Sequence, residues 1–343
     1  MTKLTVVLLS LLFLTSVLEA QMPYYQGKSV RIVVGYLAGD THDVWARTIA
    51  RYLTKHIPGT SDIIVVNMPG AGSMIAANHV YAVAKPDGLT LGTFSPSLYH
   101  AQLTGRREVQ FDWAKFTWIG SPVRNGHLLY MRSDSPYKTL NDIRKAGEPP
   151  RCSATGVGTT SYDIPKLLED TLGLKFRIIT GYPGGAEQDL ALERGEVDCR
   201  AIPTSAFFGR EPFITWFKKG LVQIMLQTAR QRNSKIPDVP TIFELMDQYK
   251  TSDARRRYAN VYLDAGGFGD FPVVASPGVP SDRTKILREA YARTVREPEL
   301  GEEMKKRGWE VKPINAEDLE QLAKEVLNQR PDAIDWLKKL YDK

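Results

Sequence analysis

The chain has 343 residues, a formal net charge of +6, 43% hydrophobic residues and 24% charged residues. That length suffices for two compact lobes with separate cores, and the composition is that of an ordered globular protein. The positive balance does not indicate nucleic acid: Lys and Arg are scattered and flanked by acids, as in Arg106-Arg107-Glu108, and no dense basic run interleaves with aromatics. It reads as solubility with steering of anions.

Residues 1–20 stand apart. Lys3 precedes an apolar run over 4–18, and the small residue Ala20 comes just before Gln21. This is the layout of a secretory signal cleaved after Ala20, and the run is shorter than the ~20 residues of a membrane span. An exported mature protein is expected, with a retained N-terminal anchor as the alternative. Cys152 and Cys199 are the only cysteines, too few for the common zinc arrangements, and neither metal nor cofactor is expected. Two buried free thiols are the preferred reading, since parallel neighbours rarely present the required Cβ geometry; a single disulfide is the alternative.

Val30, Ile32 and Val34 alternate along a short strand, residues 35–42 form a turn, and a helix follows with Asp43 as its N-cap. Trp45, Ile49, Tyr52 and Leu53 share its buried face, leaving Arg47, Arg51 and Lys55 outside. Such a unit aims backbone N–H groups and the positive end of a helix at one point, a natural anion seat. The β-branched run 63–66 predicts a buried strand, followed by a glycine turn over 67–73 and a helix marked by Ile75, Ala76, Val80 and Val83. A third strand over 89–94 stops at Ser95. Three strands with helical crossovers predict a parallel sheet that binds ligands beyond its carboxyl ends, where all three turns fall.

Extended segments over 118–131 lead out of this lobe. A second series follows: strand 151–154, glycine turn 155–161, and a helix with Ile164, Leu167, Leu168 and Leu172 on one face, closed by Gly173. Strand 176–180, turn 181–185, helix 187–194 and strands 197–201 and 221–228 continue it. Strand 273–275 and helices beginning near 281, 298, 316 and 332 complete the chain. The expected architecture is α/β, two lobes with a ligand cleft between them: lobe 1 over 21–124, lobe 2 over 125–230, and a return to lobe 1 with C-terminal helices over 231–343.

Seven segments in order, GYLAGDTHDVWAR, NMPGAGSMIAA, KPDGLTLGT, GVGTTSYD, YPGGAEQDLALERGEVD, RNSKIPDVPTIFE and ASPGVP, resemble the substrate-binding receptors of tripartite tricarboxylate transporters, the Bug family. The resemblance implies a type II-like periplasmic-binding-protein fold and a periplasmic monomer. It further implies a small organic carboxylate held between the lobes and delivered to two integral membrane subunits. Transferred residue by residue, it puts ligand contacts on Tyr36, Leu37, Ala38, Gly39, Asp40, His42 and Asp43, on Ala71, Gly72 and Ser73, and on Ser95. The opposite lobe would supply Gly158, Thr159 and Thr160, with Tyr182, Gly185 and Ala186 behind them.

The chain departs from the family pattern at Asp40, where a carboxylate replaces glycine, and at His42, Tyr162, Pro183 and Glu187. Asp40 repels a bound carboxylate unless it turns to solvent, pairs with a cation or meets a ligand amine; a solvent-facing turn residue is the plain reading. His42 reads as a surface histidine, Tyr36 as a member of the site, and Trp45 and Leu168 as core. An enzyme on the same frame is the rival function, but no GxSxG or HExxH pattern occurs. Partnership with a membrane sensor kinase would use the same cleft.

Overall fold

The computed structural model describes residues 23–123 and 126–341, so the expected signal segment lies outside the described residues. Strands β1 (Ser29–Val34), β2 (Asp62–Asn67), β3 (Thr90–Thr93), β4 (Thr117–Gly120) and, from late in the chain, β10 (Val273–Ala275) form one sheet in the order β2-β1-β3-β10-β4. Strands β5 (His127–Arg132), β6 (Arg151–Ser153), β7 (Arg177–Ile179), β8 (Cys199–Pro203) and β9 (Val222–Gln227) form the other in the order β7-β6-β8-β5-β9. The plan is the same twice. A first strand (β1, β6) lies between two parallel partners, and an antiparallel strand (β10, β5) joins them to the far edge.

β1 is covered on both faces, which its sequence prescribes. Val30, Ile32 and Val34 pack with Trp45, Ile49 and Leu53 of the helix Thr41–Leu53, while Val33 faces Met74 and Val80 on the other side. The predicted buried strand at 63–66 is instead an edge strand, because β1 is its one neighbour; Ile64 is 44% exposed. Ile75 and Val83 also face solvent. The helix Thr41–Leu53 is capped by Asp40, whose carboxylate accepts from the His42 N–H at 3.2 Å. Asp43, expected as the cap, sits in the first turn.

Cys152 and Cys199 are joined by a disulfide, against the preferred reading of free thiols. They lie directly opposite each other on β6 and β8, with Cα atoms 4.6 Å apart, and this closeness supplies the geometry that parallel pairs seldom offer.

Helices Ile242–Gln248 and Asp253–Leu263 pack on the second sheet through Ile242, Leu245, Met246, Ala259 and Tyr262. The chain thus re-enters the first sheet only at β10, later than the return at 231 expected from the sequence. The two crossing segments touch: the Asp270 N–H donates to the Val123 carbonyl at 3.3 Å. The Ser205 hydroxyl, on the helix Thr204–Gly209, donates to the Asp270 carboxyl at 2.7 Å, and His127 Nε2 stands 3.9 Å from its other oxygen.

Both titrating groups at this hinge are perturbed by burial. It raises the Asp270 carboxyl to about 7, opposed by the Ser205 hydrogen bond, and lowers the His127 imidazole to about 4. Asp270 therefore holds more protons folded than unfolded, and its contribution to stability, full below its unfolded value of about 3.9, is lost as pH rises through 7. His127 holds fewer folded than unfolded, and its contribution, full above about 6.5, is lost as pH falls through 4. The slopes, each up to about 1.4 kcal/mol per pH unit, oppose one another between pH 4 and 6.5.

Two measurements follow from these features. Urea unfolding of Asp270→Asn should show stability rising with pH over 4–6.5 relative to the parent, and His127→Gln should show it falling over 4–7; parallel curves for all three proteins would contradict the assignment. Replacing both cysteines by alanine should cost about 2–4 kcal/mol, read from urea midpoints, and dithiothreitol should bring the parent to the same midpoint.

Candidate functional site

The loops after β1, β2 and β3 face the loops after β6, β7 and β8, so the carboxyl ends of both parallel trios converge on one cleft. Each lobe fixes its leading loop in the same way. Gly39 (φ +85°) donates its N–H to Asp43 Oδ2 at 2.8 Å, and Gly158 (φ +83°) donates to Asp163 Oδ1 at 3.1 Å. In both cases an aspartate in the first helical turn reaches back to a glycine that adopts a left-handed conformation at little steric cost. Asp43 also accepts from Arg47 and from Asn67 Nδ2, so it is fully engaged in holding its loop. Burial opposes its ionisation, but these donors outweigh it and leave the carboxyl below its ordinary value.

Between the lobes lies a cavity of about 60 Å³ lined by both. Tyr36, Asp40, Thr41 and His42 contribute from the first lobe, Thr159, Thr160, Ser161, Gly185, Gln188 and Arg200 from the second, and Phe271 from the returning segment. A larger hollow of about 670 Å³ near Asn260 and Gln321 lies away from the loops that follow the parallel strands. We place the site in the small, shared cavity because the oriented backbone groups of two lobes meet there.

Asp40 does not face solvent as the plain reading held; its side chain is 12% accessible. It points at Gly185, the first residue of the helix Gly185–Glu193. Arg200 Nη2, Asp40 Oδ2 and Arg210 Nη2 stand 2.9, 3.0 and 3.4 Å from the point where a Gly185 Cβ would sit. Glycine is required there for the close approach of the lobes. Burial works against the charge on Asp40, yet hydrogen bonding from His42 and the charge of Arg210 prevail, and its carboxyl lies below the usual value. On the far side, Asp189 binds both guanidiniums: Arg210 Nη2 at 2.8 Å through one oxygen and Arg200 Nη1 through the other. Arg200 Nη1 also donates to the Gly185 carbonyl at 3.1 Å, and Arg210 Nε reaches across the cleft to Thr41 Oγ1 at 3.2 Å.

His42 is buried, not a surface residue, and its ring stacks on Tyr36 with centroids 4.0 Å apart. Burial pushes the Tyr36 hydroxyl well above its ordinary pKa, aided by Asp40 and opposed by Ser95 and Ser73. Ser73 Oγ accepts from the Ser95 N–H at 2.8 Å, and Ser95 Oγ donates to the Gly158 carbonyl at 3.5 Å, a second contact between lobes. Ala71 and Ser73 adopt positive φ of 46° and 73°, a strained turn that brings Gly72 against Thr159. Leu37 covers Gly184. Of the expected residues, Leu37, Ala38, Gly39, Asp43, Ala71, Gly72, Ser73, Ser95, Gly158, Tyr182 and Ala186 lie outside the cavity lining, and Tyr182 packs on the core of the second lobe.

Thr41 and Ser161 fall within the expected loops, whereas sequence reasoning passed over Gln188, Asp189, Arg200, Arg210 and Phe271. Gln188 and Asp189 stood within YPGGAEQDLALERGEVD, and Arg200 stood out as a charge inside the apolar strand CRAIP; Arg210 carried no such signal. Among the described residues, no group of three or more His, Cys, Asp or Glu is placed to hold a metal ion.

Comparison with known proteins fits this arrangement. Residues 45–338 match the model of the tripartite tricarboxylate transporter family receptor. A Cupriavidus necator protein described as a UPF0065 protein in the gbd 5′ region is 26% identical over 325 residues, covering 93% of this chain and 90% of its own. Among solved structures, the periplasmic binding protein BugD superposes with a TM-score of 0.73 at 23% identity, over 92% of this chain and 98% of its own. MatC from Rhodopseudomonas palustris, with bound malate, superposes with a TM-score of 0.70 at 22% identity, over 92% of this chain and 99% of its own. The chain therefore belongs to the receptors of the tripartite tricarboxylate transporter family, two-lobed periplasmic-binding-protein folds that bind solutes and are not enzymes.

Proposed function

We propose that this protein captures a small organic carboxylate between its lobes outside the cytoplasm and presents it to two integral membrane subunits of a tripartite transporter. The observation that carries the reading is the shared cavity, on which the starts of three helices, Thr41–Leu53, Thr160–Leu172 and Gly185–Glu193, converge from opposite lobes. The first-turn N–H groups of a helix lack intrahelical acceptors and carry partial positive charge, so an anion is their natural partner. Closure gathers these donors around the ligand, and contacts made only in the closed state link affinity to lobe motion. The malate bound to MatC is of the same chemical class. The disulfide and the signal-like N-terminal segment favour an oxidising, exported location.

Thermal shift and calorimetry against a library of organic acids test the reading. A cognate acid at 100 times its Kd should stabilise the protein by about 2.7 kcal/mol, and a library in which no acid raises the melting temperature would refute it. Gly185→Val should obstruct closure at the point where Asp40, Arg200 and Arg210 converge. Overpacking of this kind costs about 1–3 kcal/mol, so affinity for that acid should fall roughly 5- to 150-fold; unchanged affinity would show that the lobes do not close at Gly185.

A further inference from the structure

The cavity places specific demands on its occupant. Three side chains that line it each carry a buried polar atom with no hydrogen-bond partner: Nε of Arg200, Oε1 of Gln188 and Nε2 of His42. The three residues are 7%, 2% and 7% exposed. Buried polar atoms are almost always satisfied in a working structure, so orphans that gather on residues lining one cavity point to groups its occupant supplies. Arg200 Nε is a donor and calls for an acceptor, as a carboxylate provides. Gln188 Oε1 is an acceptor and calls for a donor, which a bare carboxylate lacks. One molecule satisfies both only if it carries the two functions close together.

Charge narrows the choice further. Asp40 and Asp189 balance Arg200 and Arg210, so the enclosed cluster has no net positive charge left for a second ligand carboxylate. A dianion would face Asp40 with only dipoles to compensate it, whereas a single carboxylate is served by the helix starts and Arg200 Nε. Size points the same way: admitting one water takes ~10–15 Å³ of such space, so a cavity of about 60 Å³ suits a molecule of few heavy atoms.

Resting on the receptor reading above, we propose that Asp40, Gln188 and Arg200 select a small monocarboxylate with a hydrogen-bond donor beside it, either an ammonium or a hydroxyl. Gln188 takes the donor, Arg200 Nε takes the carboxylate, and Asp40 discriminates against a second negative charge.

Calorimetry on the mature protein with propionate, succinate, lactate and alanine tests this without any substitution. Lactate or alanine should bind at least tenfold more tightly than propionate and succinate. Gln188→Met, which keeps the volume and loses the acceptor, should bring the preferred acid down to the level of propionate, with the melting temperature of the unliganded protein as folding control. Asp40→Asn should narrow the margin against succinate; a larger loss for alanine than for lactate in that variant identifies the donor as ammonium, and an equal loss identifies it as hydroxyl. Propionate or succinate binding as tightly as both donor-bearing acids, or an indifferent Gln188→Met, overturns the proposal. If none of the four binds while larger organic acids do, the selection rule fails and the receptor reading stands; if no organic acid binds, the receptor reading itself fails.

Discussion

Two carboxylates and two guanidiniums meet at the seam between the lobes, and the seam depends on their mutual compensation. An isolated buried ion costs several kcal/mol, whereas a well-bonded set approaches neutrality. Asp189 satisfies both arginines from within the second lobe, and Asp40 meets them from the first lobe across the cleft. In water these groups would be well solvated, so the net gain from pairing them at the seam is modest. Gly185 makes the approach possible by leaving empty the point on which the three charged groups converge.

Around that seam each lobe repeats one device. A strand ends in a loop, a glycine in a left-handed conformation turns it, and an aspartate one turn into the next helix binds that glycine's N–H. The helix start is thereby held at a fixed angle to the sheet, and its free N–H groups point into the cleft without having to be ordered by the ligand. Such preorganisation lowers the cost of binding. The lobes differ in what lies behind: Ser73 and Ser95 brace the first side, whereas buried Arg200 and Asp189 brace the second.

The repeated architecture was legible because it rests on local signals. Val30, Ile32 and Val34 alternate, Gly173 closes a helix whose apolar residues share a face, and glycine turns follow β1, β2, β6 and β7. What escaped the sequence is set by partners distant along the chain. Asp40 reads as a turn residue until Arg210, 170 positions later, is brought beside it, and His42 reads as exposed until Tyr36 and Phe271 cover it. The strand at 63–66 has the β-branched composition of a central strand, and only the sheet order reveals that it stands at the edge. The cysteines were misjudged for a related reason, since an exact cross-strand register is not encoded in spacing. Site residues on the strand–loop junctions were visible; those on the body of the second lobe, such as Arg200, were hidden among core positions.

The link between Cys152 and Cys199 encloses a covalent ring in which every second-lobe lining residue from Thr155 to Gln188 is contained, with Arg200 one position beyond it. The first lobe has no comparable tie among the described residues. Half of the cleft is thus assembled by chain connectivity and half by packing alone. Once oxidised, the second half keeps its loops within reach of one another even in a partly unfolded molecule.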